Sequence, residues 1–210
     1  MTPRSLFRQA TDGSGTAERL LDAPHPHNAT SWSRDGRWLA FTEEHPQRQE
    51  DIWILALDGD RAAHSFLATP YDEGAAVFSP DAHWIAYTSD ESGNREVLIT
   101  AFPGPGPRKA VSTGGGDLPL FSDDGHTLFY RRNTRILAAE IETTPALTIG
   151  ASRVAFDIPG APAGNLPFPV GPRGDRILYA RAAGDTPSPG TTVQFIVNWF
   201  EELRQLTAAR

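Results

Sequence analysis

The chain has 210 residues, 39% of them apolar, a formal net charge of −7 and no cysteine. Disulfides, thiolate metal sites and a cysteine nucleophile are therefore excluded. Arginines scattered through an acidic chain also do not form the basic face that nucleic acid needs.

From the N-terminus, MTPRSLFRQATDG carries no apolar stretch of the kind a secretory signal needs. The longest apolar runs, such as Ile52–Leu57, have the length of a strand. A membrane span needs roughly 18 such residues. The chain as it stands thus predicts a cytoplasmic location without membrane contact. Its 19 glycines and 18 prolines, spread without low-complexity tracts, predict many tight turns and so many short strands.

Those turns repeat. WSRDG (Trp32–Gly36), FSPDA (Phe78–Ala82), FSDDG (Phe121–Gly125) and a degraded VGPRG (Val170–Gly174) follow one another at 46, 43 and 49 residues. In phase with them run SLFRQATDG, DIWILALDG and EVLITAFPG, each a strand leading into a turn. In Ser-x-Asp-Gly the Ser and Asp side chains bond nearby amides, and the closing position takes a left-handed conformation that suits Gly. Ala82 stands at that position in the second unit and predicts a cost of about 1 kcal/mol there. RWLAFT, HWIAYT, HTLFYR and DRILYA after the turns lack helical spacing and read as second strands.

Four antiparallel strands per period of this length make the blade of a β-propeller. The layout is a half unit at 5–21, whole units at 28–68, 74–112 and 117–156, and a last irregular unit at 165–206. The expectation is an all-β single domain over 1–210, a β-propeller of about four and a half blades. NWFEELRQLTAA near the C-terminus reads either as a short helix or as the last two strands.

WSRDGRWLAFT and FSPDAHWIAYTSD, followed by FSDDGHTLFY, resemble the WD-like (PD40) repeats of TolB-type β-propellers, and the resemblance spans nearly the whole chain. It implies a partial or shortened relative of a six-bladed propeller with two open sheet edges. TTVQFIVNWFEELRQL is also similar to the tail of propellers fused behind bacterial serine/threonine protein kinases. That likeness implies a non-catalytic sensor or protein-interaction module in an extracytoplasmic setting. The kinase signatures themselves are missing from this sequence. The alternative is the propeller lid of a peptidase of the prolyl-oligopeptidase type. However, no G-x-S-x-G elbow is present, and the nearest string, Asp12–Thr16, falls in a turn.

Long loops on one face of the disc would carry function. The residues entering each innermost strand, Asn28, Glu73 with Gly74, Asp117 and Asn165, would line the mouth of the central channel. They form either a ring for a cation, an amine or a peptide N-terminus, or a set of local caps at the loop-to-strand transition. His25 and His27 with Asp72 have no recognised ligand spacing, and no metal or other cofactor is expected. Trp32, Trp38, Trp53, Trp84, Phe78 and Phe121 read as packing between blades. The expected partner is a protein or peptide, with self-association through open blade edges as a further route.

Overall fold

The computed structural model describes residues 4–22, 24–45, 49–59 and 61–158. All regular structure among them is β-strand. The first two strands, β1 (Phe7–Arg8) and β2 (Glu18–Arg19), form a two-stranded antiparallel sheet. A four-stranded meander follows: β3 (His27–Trp32), β4 (Trp38–Glu44), β5 (Glu50–Ala56) and β6 (Ala63–Leu67). The second meander is β7 (Glu73–Phe78), β8 (Trp84–Ser89), β9 (Glu96–Ala101) and β10 (Lys109–Ala110). The third runs β11 (Asp117–Phe121), β12 (Thr127–Arg132) and β13 (Arg135–Glu142), and its outer strand is split. One part, β14 (Thr148–Ile149), pairs with Ile141 and Glu142; the other, β15 (Arg153–Asp157), pairs with Arg135–Ala138. Successive four-stranded antiparallel meanders stacked face to face are the blades of a β-propeller. The unit expected at 165–206, Asn165, Trp199 and the C-terminal helix-or-strand segment lie outside the described residues.

Each hairpin is tied by the side chains of its turn. Ser33 Oγ donates to Asp35 Oδ1 at 2.6 Å and accepts from the Trp38 amide at 2.9 Å, while Asp35 also accepts from the Arg37 amide. Ser79, Asp81 and Trp84 repeat those bonds, as do Ser122, Asp124 and Thr127. The serine bond, then the amide, holds the Asp35 and Asp124 carboxyls below the usual carboxylate range. Gly36 and Gly125 close their turns at φ +77° and +76°, and Ala82 does so at +55°, the left-handed conformation expected of it.

Strand alternation divides each blade between its two neighbours. Ile85 and Tyr87 of β8 pack with Ala40, Ile52 and Ile54 of the first meander, whereas Ala86 between them joins Leu128, Tyr130 and Leu137 of the third. Leu6, Leu20 and Leu21 lie against Leu39, Phe41 and Leu55. Phe129, Ile136, Ala138 and Ile158 form a further cluster on the far side of the third meander. Trp38, Trp84, Phe78 and Phe121 take their expected places between blades. Trp32 does not: it is 52% exposed, and among the described residues β1 and β2 have no inner strands beside them to cover it.

Candidate binding face

The loops from second to third strand and the links from each outer strand into the next inner strand share one face of the stack. Each inner strand enters from that face through a bulge, with register shifts between Ala29 and Ser31, Gly74 and Val77, and Asp117 and Leu120. Ala75 and Leu118 sit in these bulges at φ +49° and +53°. A bulge re-aims the side chains next to it. Asn28 pairs with Thr42, Gly74 with Thr88 and Asp117 with Arg131, so these three hold one repeated position. Glu73 lies one residue earlier, opposite Ser89, where the first blade has His27 opposite Glu43.

The difference in register goes with a difference in environment. Glu73 is fully buried and accepts from the hydroxyl and amide of Thr69, so it fastens the link that leads into its own strand. Burial pushes its carboxyl up, against the pull of the Thr69 bonds. Asn28 Nδ2 donates to Glu44 Oε1 at 3.0 Å, and the same oxygen takes Arg4 Nη2 at 2.7 Å. Asp117 Oδ1 accepts from the Thr88 hydroxyl at 3.0 Å and from the Leu118 amide at 2.7 Å, and Arg95 Nε stands 3.7 Å from Oδ2.

Glu50, Asp72 and Arg95 complete this face, and the repeat pattern gave no sign of them. A Cβ added at Gly74 would lie 2.8 Å from Glu50 Oε2, so the carboxylate of one blade occupies the space left by the missing side chain of the next. Arg95 holds the matching place one blade on and reaches Asp72 at 3.2 Å. Asp72 also accepts from the Glu50 amide at 3.1 Å, while its own amide donates to Asp90 at 2.9 Å. Burial first, then the charges of Asp72 and Glu44, push the Glu50 carboxyl up. The reach of Glu50 across to the neighbouring blade depends on how the blades stack.

The histidines are dispersed. His27 is buried edge-on against Phe41 with Nε2 3.0 Å from Glu43, and the His25 ring lies 4.8 Å from that of His45. Among the described residues no three His, Asp or Glu side chains are grouped to hold a metal ion. The Asp12–Thr16 string is an exposed turn in which Ser14 donates its amide to Asp12.

Solved structures share this architecture. TolB from Acinetobacter baumannii matches with a TM-score of 0.65 at 19% identity, over 86% of this chain and 44% of its own. A TolB protein from Agrobacterium tumefaciens matches at 0.60 and 17%, over 73% of this chain and 56% of its own. A chain of a nidogen–laminin complex matches at 0.54 and 16%, over 73% and 57%. The fold is thus that of a TolB-type β-propeller, and this chain spans about half the length of the structures it matches. The sequence matches no family model and no curated protein.

Proposed function

We propose that the chain is a non-catalytic propeller module that binds a protein or peptide partner at the channel mouth, around Asn28 and Asp117. Glu73, buried, holds the adjoining link through Thr69. The observation that carries the reading is the convergence of Glu44, Glu50, Asp72 and Asp117 from three blades, with Arg4 and Arg95 as the cations bonded into the set. Such a surface favours a partner segment bearing lysines, arginines or a free amino terminus. The likeness of the chain's last segment to kinase-fused propellers extends the reading to the sensor end of a receptor kinase.

A photo-crosslinking residue at Asn94, in a loop of this face, is expected to capture a partner in the native host. The same residue at Gly104, in the turn that ends the third strand on the opposite face, is expected to capture none. Glu50→Gln together with Asp117→Asn should weaken the Asn94 capture. Equal capture at both positions, or capture that ignores the two substitutions, would overturn the reading.

A further inference from the structure

The binding face changes sign at the third meander. Two positions paired across the hairpin of the second and third strands hold Glu43 and Asp51 in the first blade, Ser89 and Glu96 in the second, and Arg132 and Arg135 in the third. Arg4 and Arg95 are engaged by carboxylates, Glu44 for the one and Asp72 with Asp117 for the other. Arg132 is held differently. Its Nε donates to the Gly115 carbonyl at 2.8 Å and its Nη2 to the Thr113 carbonyl at 2.7 Å, while the guanidinium lies over the Tyr130 ring at 5.9 Å. Two neutral carbonyls fix the fork without cancelling its charge, and no carboxylate among the described residues forms an ion pair with it. The link that it grips is rich in glycine. Gly114 and Gly115 stand at φ +80° and +104°, and a Cβ on either would meet nothing within 4 Å, so the backbone beside the guanidinium is open. Arg135 adds a second positive charge, and its ion pair with Asp157 is 4.0 Å long with both side chains 60% exposed, a kind that is worth little.

We propose that Arg132 and Arg135, beside the open Gly114–Gly115 backbone, form an anion site that takes an acidic side chain of the partner segment. The inference rests on the function proposed for this face, in which Glu44, Glu50 and Asp72 meet a cation, and adds the opposite pole. A guanidinium fork suits a carboxylate because parallel N–H donors meet its two oxygens. A fork already fixed by the protein also loses less freedom on binding. The two poles lie one blade apart. Glu50 reaches Gly74 where the first meander meets the second, and Arg132 grips the link that runs from the second meander into the third. Sheets stacked face to face are roughly 10 Å apart, which an extended chain spans in about three residues. The partner segment therefore carries Lys or Arg and Asp or Glu about three residues apart, and the split charge fixes the direction in which it lies.

Three peptides with blocked ends, Lys-Gly-Ser-Glu, Lys-Gly-Ser-Gln and Gln-Gly-Ser-Glu, titrated into the full chain and followed by its amide resonances, test the site. The lysine peptides are expected to shift Gly74, and the glutamate peptides Gly114 and Gly115. The peptide with both charges should bind at least about threefold more tightly than the one with lysine alone, within the range of exposed ion pairs. That comparison needs no variant. Arg132→Lys keeps the charge but not the fork, and should remove the advantage while leaving the Gly74 shifts in place. Equal affinity of the two lysine peptides, Gly114 and Gly115 resonances that ignore glutamate, or an advantage that survives Arg132→Lys would each overturn the anion site and leave the cation-binding face standing. A Gly74 resonance that ignores lysine overturns the function proposed for this face, and with it the segment of paired charges.

Discussion

The interface between the first and second meanders and the one between β1–β2 and the first meander use the same kinds of strand, yet they bury different amounts. In the first, Phe78 lies 5.1 Å from the Phe102 ring, and Trp38, Ile54 and Tyr87 belong to the same cluster. In the second, Leu6 and Leu20 cover Leu39 and Leu55 on the outer part of the sheet, while Trp32 on the inner strand stands in the open. The composition of the strands is similar, so composition does not set the difference. A blade face is buried only where the neighbouring sheet is as deep as it is, and among the described residues β1–β2 is two strands deep against four.

The strongest test of that comparison is a pair of truncations. Phe78→Ala should cost about 3–5 kcal/mol of unfolding free energy, as a buried aromatic does, read from urea denaturation of the full chain. Trp32→Ala is expected to cost less than about 1 kcal/mol, as an exposed site does. Equal costs at the two positions would mean that exposure of the inner strand does not set the energy of these interfaces.

A smaller effect comes from the matching pair His27 and Glu73, one at each interface. Burial raises the folded-state pKa of Glu73 above its ordinary 4.5, with Asp51 adding to the rise and Thr69 and Arg108 opposing it. The unfolded chain therefore ionises first as pH rises. The stability linked to Glu73 is present below pH 4.5 and is lost as pH climbs through the higher folded value. Glu73→Gln keeps an acceptor for Thr69 and removes the titration. Its urea midpoint relative to the unsubstituted chain should therefore improve between pH 4 and pH 8. An unchanged difference would mean that folding does not shift the titration of Glu73.

The blades were legible in the sequence because their signals are local. Ser-x-Asp-Gly turns fix hairpins by bonds within six residues, and the aromatic nine residues on fixes the face of the second strand. The binding face was legible only in part. Asn28 and Asp117 could be placed by counting from the turn, but the same count falls on Gly74 in the second blade, so Glu73 stands one residue away, and a one-residue step along a strand sends a side chain to another environment. Glu50 and Arg95 were beyond such counting altogether, since each acts on the inner strand of the following blade. The exposure of Trp32 was equally hidden, because it depends on what stands beside the strand rather than on the strand itself.

The smallest expected effect isolates the local term from the interface. Ala82 closes the turn before β8 at φ +55°, while Gly36 and Gly125 close theirs at +77° and +76° without a Cβ to strain. An L-residue in that conformation costs about 1–2 kcal/mol. Glycine returns roughly 0.4–1 kcal/mol of this through the greater freedom of the unfolded chain. Ala82→Gly should therefore stabilise the protein by less than about 1 kcal/mol, a rise of about 2–3 °C in melting temperature for a chain of this size. Gly36→Ala should lower stability by a similar amount, although its turn belongs to the blade next to the half-filled end. If the two turns answer alike, they are independent of how deeply their blades are buried. A fall in stability on Ala82→Gly would instead mean that the Ala82 methyl makes a contact worth more than the strain it carries.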